Sequence, residues 1–155
     1  MHQKATFIFL LEVIAQCIGL WFFWPELGSA CWAFVDNEGA KYSLRKGYTR
    51  DDDVNTILSL FAASTALTRC APFFDRVASS AQLADSVSRG DFSMVRGLGW
   101  KHVELRLEPL WPFLRRVAGE GGFATRDHAA ELLVIIEQCR LEAGLPTPPA
   151  PLGFL

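Results

Sequence analysis

The chain has no surplus of positive charge. Fifteen Lys and Arg stand against seventeen Asp and Glu, for a formal charge of −2. Proteins that hold nucleic acid through a general basic field carry the opposite balance, so any such contact here must be local. Cysteine is scarce and scattered: Cys17, Cys31, Cys70 and Cys139 form no C-x-x-C pair and no Cys/His cluster. That argues against a zinc site and against a disulfide framework, and the four are expected as reduced, buried thiols of an intracellular protein. Histidine is equally sparse, and His2, His102 and His128 lie outside every candidate motif. There is no internal repeat. A small-residue cleavage site is also missing after the apolar N-terminal run, which ends Trp21-Phe22-Phe23-Trp24-Pro25, so a secretory signal is not expected.

What the sequence does have is apolar length. Half of its 155 residues are hydrophobic and about a fifth are charged, which suits one globular core. Thr6 to Trp24 is nearly all apolar and long enough to span a bilayer. Glu12 and Gln16 sit in the middle of that run, and a carboxylate at bilayer depth is costly without a partner. The expectation is a helix buried on most sides, with a membrane anchor as the competing reading.

Proline and glycine punctuate the rest of the chain. Pro25, Gly28 and Ser29 should end the first helix, and Ala30 to Val35 reads as a strand without polar alternation, the habit of parallel strands buried on both faces. Asn37 to Lys46 suits a short helix stopped by Gly47. Asp51, Asp52 and Asp53 suit the start of another, where carboxylates meet unpaired N–H groups, and Ile57, Leu58, Phe61, Ala62 and Thr65 continue it at helical spacing. Pro72 to Val77 reads as a second strand, which implies a right-handed crossover between two parallel strands. Gln82 to Arg89 suits a short helix, and Pro109 and Pro112 should interrupt any helix over 104–117. Arg126 to Ala143 reads as a helix capped by Thr125 and stopped by Gly144, with Leu132, Leu133, Ile135, Ile136 and Cys139 on its apolar face. Trp100 and Trp111 are expected to bury area against it rather than stack on bases. Residues 145–155 form a proline-rich tail.

Carboxylates carry the candidate chemistry. Asp36 follows the first strand directly, in the crevice at the C-terminal ends of parallel strands where open α/β sheets place ligands. Glu12 on the preceding helix and Asp85 after the second strand could join it. Three such hard oxygen donors suit Mg²⁺ or Mn²⁺ and in-line hydrolysis of a phosphodiester. The bland alternatives are a helix cap at Asp36-Asn37 and solvated acids elsewhere.

Beyond spacing, Val35-Asp36-Asn37-Glu38-Gly39-Ala40, then Leu44-Arg45-Lys46-Gly47-Tyr48-Thr49-Arg50, then Arg76-Val77-Ala78-Ser79 with Ala84-Asp85-Ser86-Val87-Ser88-Arg89, resembles the ribonuclease H-like region of retroelement reverse transcriptases. That family shows a strand ending in V-D-N-x-x-A, a helix ending in K-G-x-S, and a block R-V-P-S-x-x-N-x-A-D-x-x-S-R. Leu11-Glu12-Val13-Ile14-Ala15 is similar to the E-L-L-A start of the helix bearing the family's second acid. The match runs from Leu10 to Arg89 in consistent order, with Ala78 in place of Pro, Gln82 in place of Asn and Thr49 in place of Ser.

The resemblance implies an α/β fold: an incomplete ribonuclease H-like domain over 1–95, ordered helix-strand-helix-helix-strand with a parallel strand pair, and a helical extension over 96–144. It implies that Glu12, Asp36 and Asp85 are the second, third and fourth acids of a two-metal site for Mg²⁺ or Mn²⁺. It further implies that Asn37, Lys46, Tyr48, Arg50, Ser79 and Arg89 contact nucleic acid, the substrate being the RNA strand of an RNA–DNA hybrid. The family's three-strand meander, which carries the first acid, does not fit in the eleven residues before Glu12. Impaired hydrolysis is therefore expected, with a catalytically dead remnant or interaction module as the alternative. A strand edge left without its neighbour is expected to promote self-association.

Overall fold

In a computed structural model, residues 2–78 and 83–146 are described. The chain is an α/β protein with two parallel strands: β1, Ala30–Val35, and β2, Ala71–Arg76, run in register from Ala30 opposite Ala71 to Val35 opposite Arg76. Helix α1, His2–Leu27, precedes them, and α2, Glu38–Lys46, with α3, Asp52–Thr68, forms the crossover between them. After β2 come the short α4, Leu83–Ser88, and α5, Ser93–Gly97, then α6, Leu110–Glu120, and α7, Arg126–Glu142.

Local chemistry explains the boundaries. Asn37 caps α2 by accepting from the Ala40 N–H, and Gly47 ends it in the left-handed conformation at φ 74°, its N–H returning to the Ser43 carbonyl. Asp51 caps α3 by accepting from the Val54 N–H. The Thr125 hydroxyl caps α7, and the His128 side chain accepts from the Thr125 N–H in return. α1 runs two residues past Pro25, although that ring nitrogen cannot donate to the preceding turn. Glu12 and Gln16, which break its apolar run, lie beside the stripe of Val13, Cys17 and Trp21 that enters the core. Ile8–Leu27 is long and apolar enough to cross a membrane by length and composition.

One core joins α1, the inner face of the strands, α3, α6 and α7, with Trp21, Phe22, Leu58, Leu60, Phe74, Leu132 and Ile136 among its buried members. The segment expected as a helical extension thus packs into the same core as α1 and α3. Trp21 donates its indole N–H to the buried Ser64 hydroxyl at 2.8 Å. Arg140, 1% exposed, reaches across from α7 to the C-terminal end of α1. There it donates to the Phe22 carbonyl, to both Glu26 oxygens at 2.6 and 3.1 Å, and to the Pro146 carbonyl at 3.0 Å.

Three expectations need correction. β1 is not buried on both faces: Ala33 and Val35 point into the core, whereas Trp32 and Phe34 are 66% and 53% exposed. Side chains alternate along a strand, and burial is confined to the inner face. The exposed Trp32 ring shelters against Phe73 of β2, 5.7 Å between centroids. Trp100 and Trp111 are also exposed; α6 buries Leu110, Phe113, Leu114 and Val117, a stripe that leaves Trp111 on its outer side. Finally, α6 begins only after Pro109, with Pro112 in its first turn, where a missing N–H costs no intrahelical bond.

Candidate functional site

The C-terminal end of β1 delivers Asp36, and the turn into α2 follows at once with Asn37. α1 passes beside this turn and presents Glu12 to both. The Glu12 carboxyl is pushed above the usual carboxylate range, first by burial and then by the negative charge of Asp36. A hydrogen bond from the Asn37 side chain opposes these effects in part. Asn37 thus bears on both α2 and Glu12: its carbonyl oxygen caps α2, and its side chain lowers the Glu12 pKa in part. Glu12 Oε2 is buried and finds no hydrogen-bond donor among the described residues. An unpartnered buried carboxylate oxygen beside a second carboxylate is an arrangement that a cation would relieve.

Neighbouring residues fix this geometry. A Cβ at Gly39 would lie 3.2 Å from Asn37 Oδ1 and 3.5 Å from the Phe9 ring, so the missing side chain lets the start of α2 close on α1. Gln16, one turn beyond Glu12, donates to the Phe34 carbonyl at 3.3 Å. Cross-ladder bonds from Ala71 to the Ser29 carbonyl and from Val77 to the Val35 carbonyl show which way alternate residues of β1 point. Phe34 by that alternation faces away from β2, so Gln16 occupies part of the open edge of β1. Sequence reasoning singled out neither this bond nor the tie between Asn37 and Glu12. The available signal was the four-residue spacing of Glu12 and Gln16, which puts both polar groups on one side of α1.

Glu12 and Asp36 thus come together, while Asp85 is engaged elsewhere. It lies on α4, ion-paired to Arg89 one turn later at 3.1 Å. Among the described residues, no three His, Cys, Asp or Glu side chains gather closely enough to hold a metal ion. Glu12 and Asp36 by themselves do not make up the carboxylate set of a two-ion centre.

The candidate nucleic-acid contacts divide similarly. Lys46 is the last residue of α2, and Tyr48 and Arg50 fall on the turn between α2 and α3; all three are exposed, with Tyr48 61% so. Lys46 stands 5.9 Å from the Tyr42 ring. At about 1.5 Å of rise per residue, α2 sets Lys46 roughly 13 Å from Asn37. Arg89 is turned to Asp85, and Ser79 lies outside the described residues. At the start of α2, Glu38 bridges Lys41 and Arg76, each at 3.2 Å, and so ties that helix to the end of β2.

No protein-family model, curated protein or solved structure matches the chain.

Proposed function

We propose that the chain supplies the helix-strand-helix-helix-strand part of a ribonuclease H-like domain, of the kind associated with retroelement reverse transcriptases. It would act on the RNA strand of RNA–DNA hybrids. One observation carries this reading: Glu12 from α1 and Asp36 from the end of β1 meet at the C-terminal end of a parallel strand pair, and Glu12 keeps a buried oxygen without a donor. The acids that the motif order marks as second and third are therefore neighbours, although the motifs carrying them are distinct in sequence.

Glu12 and Asp36 would hold Mg²⁺ or Mn²⁺, with Asn37 orienting the Glu12 carboxylate. Such an ion, when bound, lowers the pKa of water and stabilises charge on a leaving oxygen. Lys46 and Arg50 supply local positive charge for phosphates on a chain that is acidic overall, and Tyr48 offers a ring to a sugar. Recognition would follow the A-like shape and the 2′-hydroxyls of the hybrid rather than its sequence. Because Asp85 is held by Arg89, hydrolysis by this chain alone is expected to be weak.

A second reading, an interaction module without turnover, is favoured by the open sheet face that exposes Trp32, Phe34 and Phe73. Mn²⁺ binding and hybrid cleavage separate the two. The nuclease reading expects Mn²⁺ to raise the melting temperature of the natural chain but not of Glu12→Gln or Asp36→Asn, with slow Mn²⁺-dependent cleavage of a labelled hybrid lost in the same variants. Mn²⁺ binding without cleavage favours the module. No effect of Mn²⁺ on the natural chain removes the cation site altogether.

A further inference from the structure

Away from Glu12 and Asp36, the stretch from α4 to Val103 encloses an open cavity of about 510 Å³. None of the residues of α5 is buried, so the apolar side chains here do not serve the main core. Phe92, Val95 and Trp100 furnish apolar wall, and Trp100 remains 58% exposed. Three basic side chains complete the lining, Arg96, Lys101 and His102, and no carboxylate joins them among the described residues. That is a local reversal of sign on a chain whose formal charge is −2. Arg96 lies 5.8 Å from the centre of the Phe92 ring, and neither Arg96 nor Lys101 has an ion-pair partner among the described residues. Arg76, Arg89, Arg116 and Arg140, by comparison, each meet a carboxylate.

We propose that this cavity binds a small organic anion with an apolar body, an aryl or alkyl carboxylate, whose hydrocarbon part packs on Phe92, Val95 and Trp100 and whose carboxylate meets Arg96 and Lys101. The volume falls in the range of small-molecule sites, about 300–1,000 Å³, and a mostly apolar lining with a few convergent polar groups is what orients such ligands. Arg and Lys both suit a carboxylate, Arg through its planar fork and Lys through a compact charge, and a bond to a charged group is stronger than one to a neutral hydroxyl. The site is independent of the nuclease reading, since it shares no residue with Glu12, Asp36 or the α2–α3 turn.

The test uses a matched pair of probes on the whole chain: naphthalene-2-carboxylate and the neutral naphthalene-2-methanol, with binding measured by calorimetry. The carboxylate should bind about tenfold more tightly than the alcohol. Arg96→Gln with Lys101→Gln, both exposed and free of ion pairs, should remove that preference while leaving the alcohol bound as before. Val95→Trp should fill the cavity and weaken both ligands, with helical circular dichroism reporting that the fold is intact. Absence of binding by the natural chain overturns the proposal. So does equal binding of the two probes, or a carboxylate preference that survives the double substitution.

Discussion

Replacing Arg140 with alanine tests whether the last helix is integral to the fold or an appendage. The guanidinium is 1% exposed and holds the Phe22 carbonyl, both Glu26 oxygens and the Pro146 carbonyl. The ion pair contributes little of the loss, because the Glu26 side chain is 40% exposed and regains water once released; an exposed pair is worth about 1 kcal/mol or less. The Phe22 carbonyl lies in the core and would lose its donor from Arg140, at about 1–3 kcal/mol. Two buried methylenes of the Arg stem add about 1.6 kcal/mol. Against these, Arg140 Nε is itself buried without a partner among the described residues, and removing it returns about 1 kcal/mol. The net is a destabilisation of about 3 kcal/mol, equivalent to a melting point lower by roughly 6–12 °C for a domain of this size. Urea and thermal unfolding followed by tryptophan fluorescence would measure it. Arg140→Met, which keeps the stem, should lose less. An alanine variant as stable as the natural chain would show that the contact between α7 and α1 is incidental.

Glu12→Gln should stabilise the chain at neutral pH. The folded-state pKa of Glu12 is raised above its unfolded value, so the native state holds the extra proton between the two and stability falls as pH rises through that window. The urea midpoint of the natural chain should drop across it more steeply than that of the variant, and parallel pH profiles would refute the assignment. Alkylation should distinguish the thiols. Burial, reinforced by Cys31, pushes Cys70 up to about 11 and burial also raises Cys17 and Cys139, so at pH 8 the half-buried Cys31 should react first and the others only on unfolding. Mass spectrometry of timed samples reads the order. Gln16→Ala should free the Phe34 carbonyl at the edge of β1 and increase self-association at micromolar concentration in the sedimentation profile; an unchanged profile would show that the edge needs no cover. Arg69→Gly should gain about 1 kcal/mol in urea unfolding, since Arg69 ends α3 at φ 55°, a conformation that disfavours side chains.

The legible parts of this fold are those set by local chemistry. Gly47 and Gly144 stop helices where their positions in the sequence suggest, Thr125 caps α7, and Ala30–Val35 has the expected strand bounds. The parallel pairing followed from two apolar strands separated by helical periodicity. Features that depend on a distant neighbour were hidden. An apolar strand reads the same whether one face or two are covered, so the exposure of Trp32 and Phe34 could not be seen in its composition. Arg140 sits one turn beyond Ile136 on the buried face of α7, yet only the fold reveals Glu26 and the Phe22 carbonyl waiting for it. At the candidate site, the motif order grouped Glu12 with Asp36, and in the fold the charge of Asp36 acts on Glu12. It named Asn37 for nucleic acid, whereas its side chain is taken up by a helix cap and by Glu12. The engagement of Asp85 by Arg89 is local, a four-residue spacing within α4, and was available to sequence reasoning.

The bonds made by Arg140 also impose an order on synthesis. They join residues 114 and 118 positions apart, so the end of α1 leaves the ribosome long before its clamp exists. At about 5–20 residues per second the wait is roughly 6–24 s, far longer than a helix needs to form. Throughout that interval the stripe of Val13, Cys17, Trp21 and Phe22 lacks the cover that α7 later brings. A nascent chain should therefore spend most of its synthesis as a client for whatever shields apolar helices at the tunnel exit. Slowing translation near its 3′ end should raise the fraction that is captured or lost.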